Sequence, residues 1–269
     1  MLSGTRALLV ARISLGLAHA FLVVETFTAL RGLAAGKFAV PVVTGLPAPT
    51  EASALAYLVA GIAAGAAVVL GWRTAWCAAI AATLHVLAFA CDEQLYSNHR
   101  VLITLLLVLL ACSRPDVEWA ARPSTGPVRW GPVTLMLTQV TACYLFAGLS
   151  KINASFLSGV PLSHWMWVPL PWWAYTTMAI ATVVLEVFMA VGLWLPRWRV
   201  LAALLGLCLH LSILVTMLDG SIALIAFTLA CVGLYPLFLT RPSFSSVAVS
   251  PTSGAATPGP VSPSTPKSP

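Results

Sequence analysis

The chain has 269 residues, of which 59% are hydrophobic and 8% charged, with a net charge of +6 and a mean hydropathy of +0.94. A soluble domain carries about 25% charged residues, so this composition excludes one and predicts a polytopic membrane protein. At roughly 20 residues per span plus connections, about eight helices use up the length and no sizeable soluble domain fits. The basic residues are spread over short loops instead of forming one patch, which excludes nucleic acid as a partner and reads as a topology signal. The six cysteines contain no Cys-x-x-Cys pair, which argues against dithiol redox chemistry, and they read as small buried hydrophobes. No metal is expected.

In chain order, apolar runs predict helices near 7–29, 53–71, 74–95, 97–113, 132–151, 174–195, 198–217 and 221–239. The fold class is therefore all-α, a multi-pass bundle in the inner cell membrane. The first run continues past the length of a signal-peptide core and reads as a retained span. LAAGKFAVPVVTGLPAPTEAS at 33–53 is too rich in Gly and Pro to be helical throughout, and Thr50 or Ser53 is placed to cap the second helix. Trp72 and Arg73 mark a tight turn. RPDVEWAARPSTGPVRWG at 114–131 carries three arginines, three prolines and two tryptophans, and reads as a cytoplasmic loop. In VPLSHWMWVPLPWWAY at 160–175, four tryptophans and three prolines point to a segment lying along the interface. The bundle is expected to span 1–241, and 242–269 is a Ser/Thr/Pro-rich tail expected to be disordered.

With the N-terminus inside, the inner side collects nine basic residues: Arg6, Arg73, Arg114, Arg122, Arg129, Arg197, Arg199, Arg241 and Lys267. The outer side has four, Arg31, Lys37, Arg100 and Lys151, with Arg12 left out because it lies within the first helix. Both termini are therefore expected in the cytoplasm.

That topology gathers ionisable groups at the outer end. Lys151 closes an apolar run in CYLFAGLSKINASFLSG at 143–159. An ammonium in hydrocarbon costs roughly 2.5 to 3.5 kcal/mol, so the side chain either snorkels to the interface or faces a polar cavity. Glu25, Asp92, Glu93, Asn98, His99 and His210 fall at the same side, with His19 and His85 deeper. Spacings of seven put His85 on a face with Asp92, and Tyr144 on a face with Lys151. Glu186 sits mid-run, near the bilayer centre, where it must be neutral or paired. Taken singly, each has a bland reading: Asp92 and Glu93 as a wet helix end, His85 bonded to a carbonyl, Glu25 paired with Arg31, Glu186 as an interhelical tie. Collected at one depth they outline a cavity in which a desolvated amine can act as a base near neutral pH.

The run AGLSKINASFLSGVPL at 147–162 resembles the A-G-x-x-K helix-end motif of the HTTM family, the horizontally transferred transmembrane domain related to the membrane part of vitamin K-dependent gamma-glutamyl carboxylases. SNHRVLITLLL at 97–107 is similar to its N-H-x-x-L helix opening, and LEVFMAVGLWLPRWRVLAALLGLCLHL at 185–211 to its Glu, proline-basic turn and terminal His. The resemblance implies a carboxylase-like enzyme, of lyase or monooxygenase type, acting at the outer face with a reduced quinone as cofactor. Lys151 would be the base that deprotonates the quinol and His99 a supporting acid, base or hydrogen-bond donor, both catalytic. Asn98, Tyr144, His210, Glu186, Asp92, Glu25 and His85 would form the substrate pocket. In this chain Arg100 follows the Asn-His pair, and Ser155 and Phe156 stand where the pattern has a tryptophan. Peptide carboxylation would need an accessory protein to supply the docking surface. The rival reading is a non-catalytic module of the same fold that holds a lipid, quinone or exported peptide, or assists its maturation with a partner. A transporter is less favoured because the charges gather at one side instead of forming a path across the membrane.

Overall fold

The computed structural model describes residues 3–124, 126–217 and 222–240. Among the described residues, seven helical segments are long and apolar enough to cross a membrane, the last of them, Ile222–Thr240, made of two helices in succession, and an eighth apolar helix, Asn98–Ser113, is shorter. In chain order the helices are α1 (Gly4–Ala34), α2 (Glu51–Leu70), α3 (Thr74–Cys91), α4 (Asn98–Ser113), α5 (Trp130–Ser150), α6 (Ala154–Leu157), α7 (Val160–Trp165), α8 (Trp172–Gly192), α9 (Arg199–Thr216), α10 (Ile222–Val232) and α11 (Tyr235–Thr240). No β-strand occurs among the described residues. The expected disordered tail, with Arg241 and Lys267, lies outside them.

The boundaries follow from local chemistry. Thr50 caps α2 in a capping box with Ser53, which satisfies two orphan groups reciprocally. α3 is shorter than its apolar run because Asp92 leaves the helix at φ −156° and accepts from the Gln94 and Val40 amides. The eighth run divides into α10 and α11, and the aromatic stretch after Lys151 contains α7, with Pro161 in its first turn where the missing amide costs nothing.

α1 is the central post, packed along α2 and α10 and touching α3, α4 and α11. Gly16 and Gly65 let α1 and α2 approach backbone to backbone: a Cβ on Gly65 would stand 3.1 Å from the Gly16 carbonyl oxygen. Close approach of small residues is how helices gain contact where lipid supplies no hydrophobic drive.

The placement that matters most is a stagger between α5 and α8. The Trp194 indole donates to Thr141 Oγ1 at 2.7 Å, and Gly148 lies against Glu186 and Val187, so the end of α5 meets the middle of α8. Glu186 is about 21 Å along the axis from the start of α8, at 1.5 Å per residue. The first half of α8 is covered instead by α6 and α7, through Phe156, Leu162 and Met166 against Tyr175, Ala179 and Val183. This corrects the expected depths. Lys151 and Glu186, read from their positions along separate runs as helix end and bilayer centre, stand at one level.

Candidate functional site

Lys151 is the C-cap residue of α5. Three residues earlier, a Cβ on Gly148 would meet Val187 Cγ2 at 2.9 Å and Glu186 Cβ at 3.3 Å, so glycine lets α5 lean on α8 there. The amine consequently reaches both carboxylate oxygens of Glu186, donating at 2.6 and 2.7 Å. Their side chains are 27% and 10% exposed respectively, so this pair is shielded from bulk water without being sealed. Phe156, from α6, brings its ring centroid to 5.9 Å from the amine.

The pair opens on a cleft of about 660 Å³ whose lining includes Asn98, His99, Lys151, Glu186 and His210. α4 adds Asn98 and His99 from its first turn, α9 adds His210 from its second half, and α10 adds Phe227. The Phe227 ring lies between the two histidines, with centroids 6.4 Å from His99 and 5.4 Å from His210. His99 Nε2 is 3.0 Å from Ser97 Oγ, and Asn98 Oδ1 accepts from the Tyr96 hydroxyl at 3.0 Å. Behind the cleft, buried Tyr144 lies 2.8 Å from His210 Nε2 and 2.6 Å from the Tyr235 hydroxyl. Tyr144 therefore acts on the cleft through His210 and does not line it.

Three of the nominated residues stand elsewhere. Asp92 belongs to the α3–α4 connection, as its amide bonds show. Glu25 pairs with Arg100 at 3.4 Å, while Arg31 pairs with Glu51. His85 meets His19 at 2.9 Å, and His19 Nε2 in turn faces the Gly61 carbonyl at 3.1 Å. Arg100 explains how adjacent residues can part: His99 faces the Lys151 cleft, whereas Arg100 turns to Glu25 and Thr26 on α1. The charge that follows the Asn-His pair is thereby kept out of the cleft. Gln139, Cys143 and Thr228 also line the cleft. Sequence reading passed over them because neutral groups in apolar helices carry no desolvation signal.

The arrangement can hold a flat, lipid-soluble molecule with polar groups at its ends. Leu102, Phe146, Ile213 and Phe227 supply apolar wall to a cleft that the Lys151–Glu186 pair shares with the two histidines. No curated protein and no solved structure matches the chain. A family model described as the HTTM domain matches residues 4–241, nearly the whole described bundle, and this integral membrane protein belongs to that family.

Proposed function

We propose that the chain is an enzyme that takes a proton from a quinol, or a similar hydroxyl-bearing lipid-soluble ring, in the Lys151 cleft. The observation that carries this reading is the Lys151–Glu186 pair at the cleft wall, hydrogen-bonded through both carboxylate oxygens. Within such a pair the proton can shift to the carboxylate, leaving a neutral amine beside a carboxylic acid. The amine then accepts the hydroxyl proton of the ring, the oxygen keeps the electron pair, and the resulting ammonium lies next to the new anion. His99 and His210, which line the same cleft, would hydrogen-bond the ring, with His210 oriented by Tyr144. A bound quinol would supply the reducing power toward oxygen, and the apolar walls would keep water from the anion.

Quinol-dependent oxygen uptake by purified protein in nanodiscs, with menaquinol and ubiquinol, tests the proposal. Uptake is expected in the wild type and is expected to fall at least a hundredfold in Lys151→Ala, the usual cost of losing a general base. Uptake unchanged by that substitution sinks it. The closed pairing of Lys151 by Glu186 favours a second reading, in which the cleft holds a quinone, lipid or exported peptide without turnover. Enrichment of such a molecule on the purified protein, with no oxygen uptake, would select that reading.

A further inference from the structure

The end of the bundle opposite Lys151 carries a second concave site. The connection after α4 folds back over the α2–α3 turn: Ala121 donates its amide to Leu70 O at 2.9 Å, Arg122 to Gly71 O at 3.2 Å, and Ser124 to Asp116 O at 2.7 Å. This brings Arg73, Arg114 and Arg122 around one cleft of about 570 Å³, with Trp76, Asp116 and Ser124 in its walls.

The one carboxylate in that cleft is already engaged. Asp116 accepts from Arg12 Nη1 at 3.3 Å, from the Thr74 amide at 3.0 Å and from the Thr74 hydroxyl. Arg12 is fully buried in α1, so it balances the Asp116 charge from inside the bundle. Among the described residues, none of the three cleft arginines forms an ion pair. Three guanidinium groups thus share a concavity whose one carboxylate is held by Arg12 and Thr74.

Topology signalling accounts for arginines at this end of the bundle. It does not account for their convergence, nor for the backbone two of them occupy. Arg73 and Arg114 sit at φ 47° and 54°, in the left-handed region where a turn or helix C-cap favours glycine. Exposed Trp76 stands in the cleft wall, and Trp72 and Trp119, also exposed, belong to the two connections that form the cleft; tryptophan in this setting marks the headgroup level of a bilayer. The Arg73 guanidinium lies 5.7 Å from the Trp72 ring centroid.

We propose that this cleft binds the phosphate of an anionic phospholipid headgroup. Guanidinium groups match phosphate oxygens in fork geometry, and an uncompensated cluster beside the membrane attracts anionic lipid. A soluble phosphate has the same chemistry; the exposed tryptophan in the wall and the site at the ends of membrane-crossing helices favour the lipid.

Native mass spectrometry of the full chain, released from micelles holding equal phosphatidylglycerol and phosphatidylcholine, reads the preference directly. The wild type is expected to retain phosphatidylglycerol over phosphatidylcholine, with roughly a fivefold loss of preference per arginine removed. The variants are Arg73→Gly, Arg114→Gly and Arg122→Gln, singly and together. The two glycine substitutions suit their backbone angles, so melting in phosphatidylcholine should be unchanged or higher, which separates lost binding from lost folding. Equal retention of both lipids by the wild type overturns the proposal, as does full retention of phosphatidylglycerol by a folded triple variant. Displacement of phosphatidylglycerol by millimolar inorganic phosphate would assign the cleft to a soluble anion and overturn it too.

Discussion

Lys151 and Glu186 are each costly in a helix bundle, and each is made tolerable by the other. The amine donates to both carboxylate oxygens, and the carboxylate is the more buried of the two. Removing either partner leaves the other charge poorly compensated, which is more damaging than removing both. Glu186→Gln and Lys151→Met are each expected to cost on the order of 2 kcal/mol, less than for a fully sealed pair because water reaches the lysine. The double variant should cost less than the sum, with a coupling of about 1 to 3 kcal/mol. Reversible unfolding in detergent measures the cycle, and strict additivity would show that the pair contributes nothing beyond its separate side chains.

At the level of elements, the pair depends on how far α5 can lean on α8. Gly148 sets that distance, since a Cβ there already crowds Val187 and Glu186. Gly148→Val should push the helices apart, destabilise the bundle by roughly 1 to 3 kcal/mol through overpacking, and loosen Lys151 from Glu186. Raised amine-selective labelling of Lys151, with Lys37 as the internal standard, reports the loosening; labelling that stays at the wild-type level would show that Gly148 does not control the pair. Lys151, Glu186 and His210 are visible in the sequence because ionisable residues inside apolar runs are rare, and Asn98 and His99 through their place at a helix start and the Asn-His motif. The sequence could not show the stagger of α5 against α8, because a run records its own length and not its neighbour's level. For the same reason Glu25, Asp92 and His85, equally conspicuous along the chain, were grouped with residues they do not meet. Their partners are Arg100, the backbone amides of Val40 and Gln94, and His19, choices made by helix packing and turn geometry. Arg12 was set aside as a lone charge within a helix, and its role emerged only when Asp116 from a distant loop closed on it.

For the whole molecule, the two ends differ in chemistry. Arg6 pairs with Glu118 of the loop that carries Arg114, Arg122 and Arg129, and Arg199 donates to the Phe238 carbonyl, so these basic groups collect at one end. The Lys151 cleft faces the other end, where Arg31 is paired by Glu51. The excess of Lys and Arg predicts that the first end is cytoplasmic, and substrate access depends on it: the cleft would then take lipid-soluble molecules and exported peptides from outside. Cysteine labelling decides the matter. In a background with the six native cysteines replaced, Ala35→Cys and Ala121→Cys place thiols at exposed positions on opposite ends without altering any charge. A membrane-impermeant maleimide is expected to label position 35 in intact cells and position 121 only after permeabilisation. The reverse pattern would put the cleft on the cytoplasmic side, remove exported peptides from the substrate range and leave a lipid-borne molecule as its ligand.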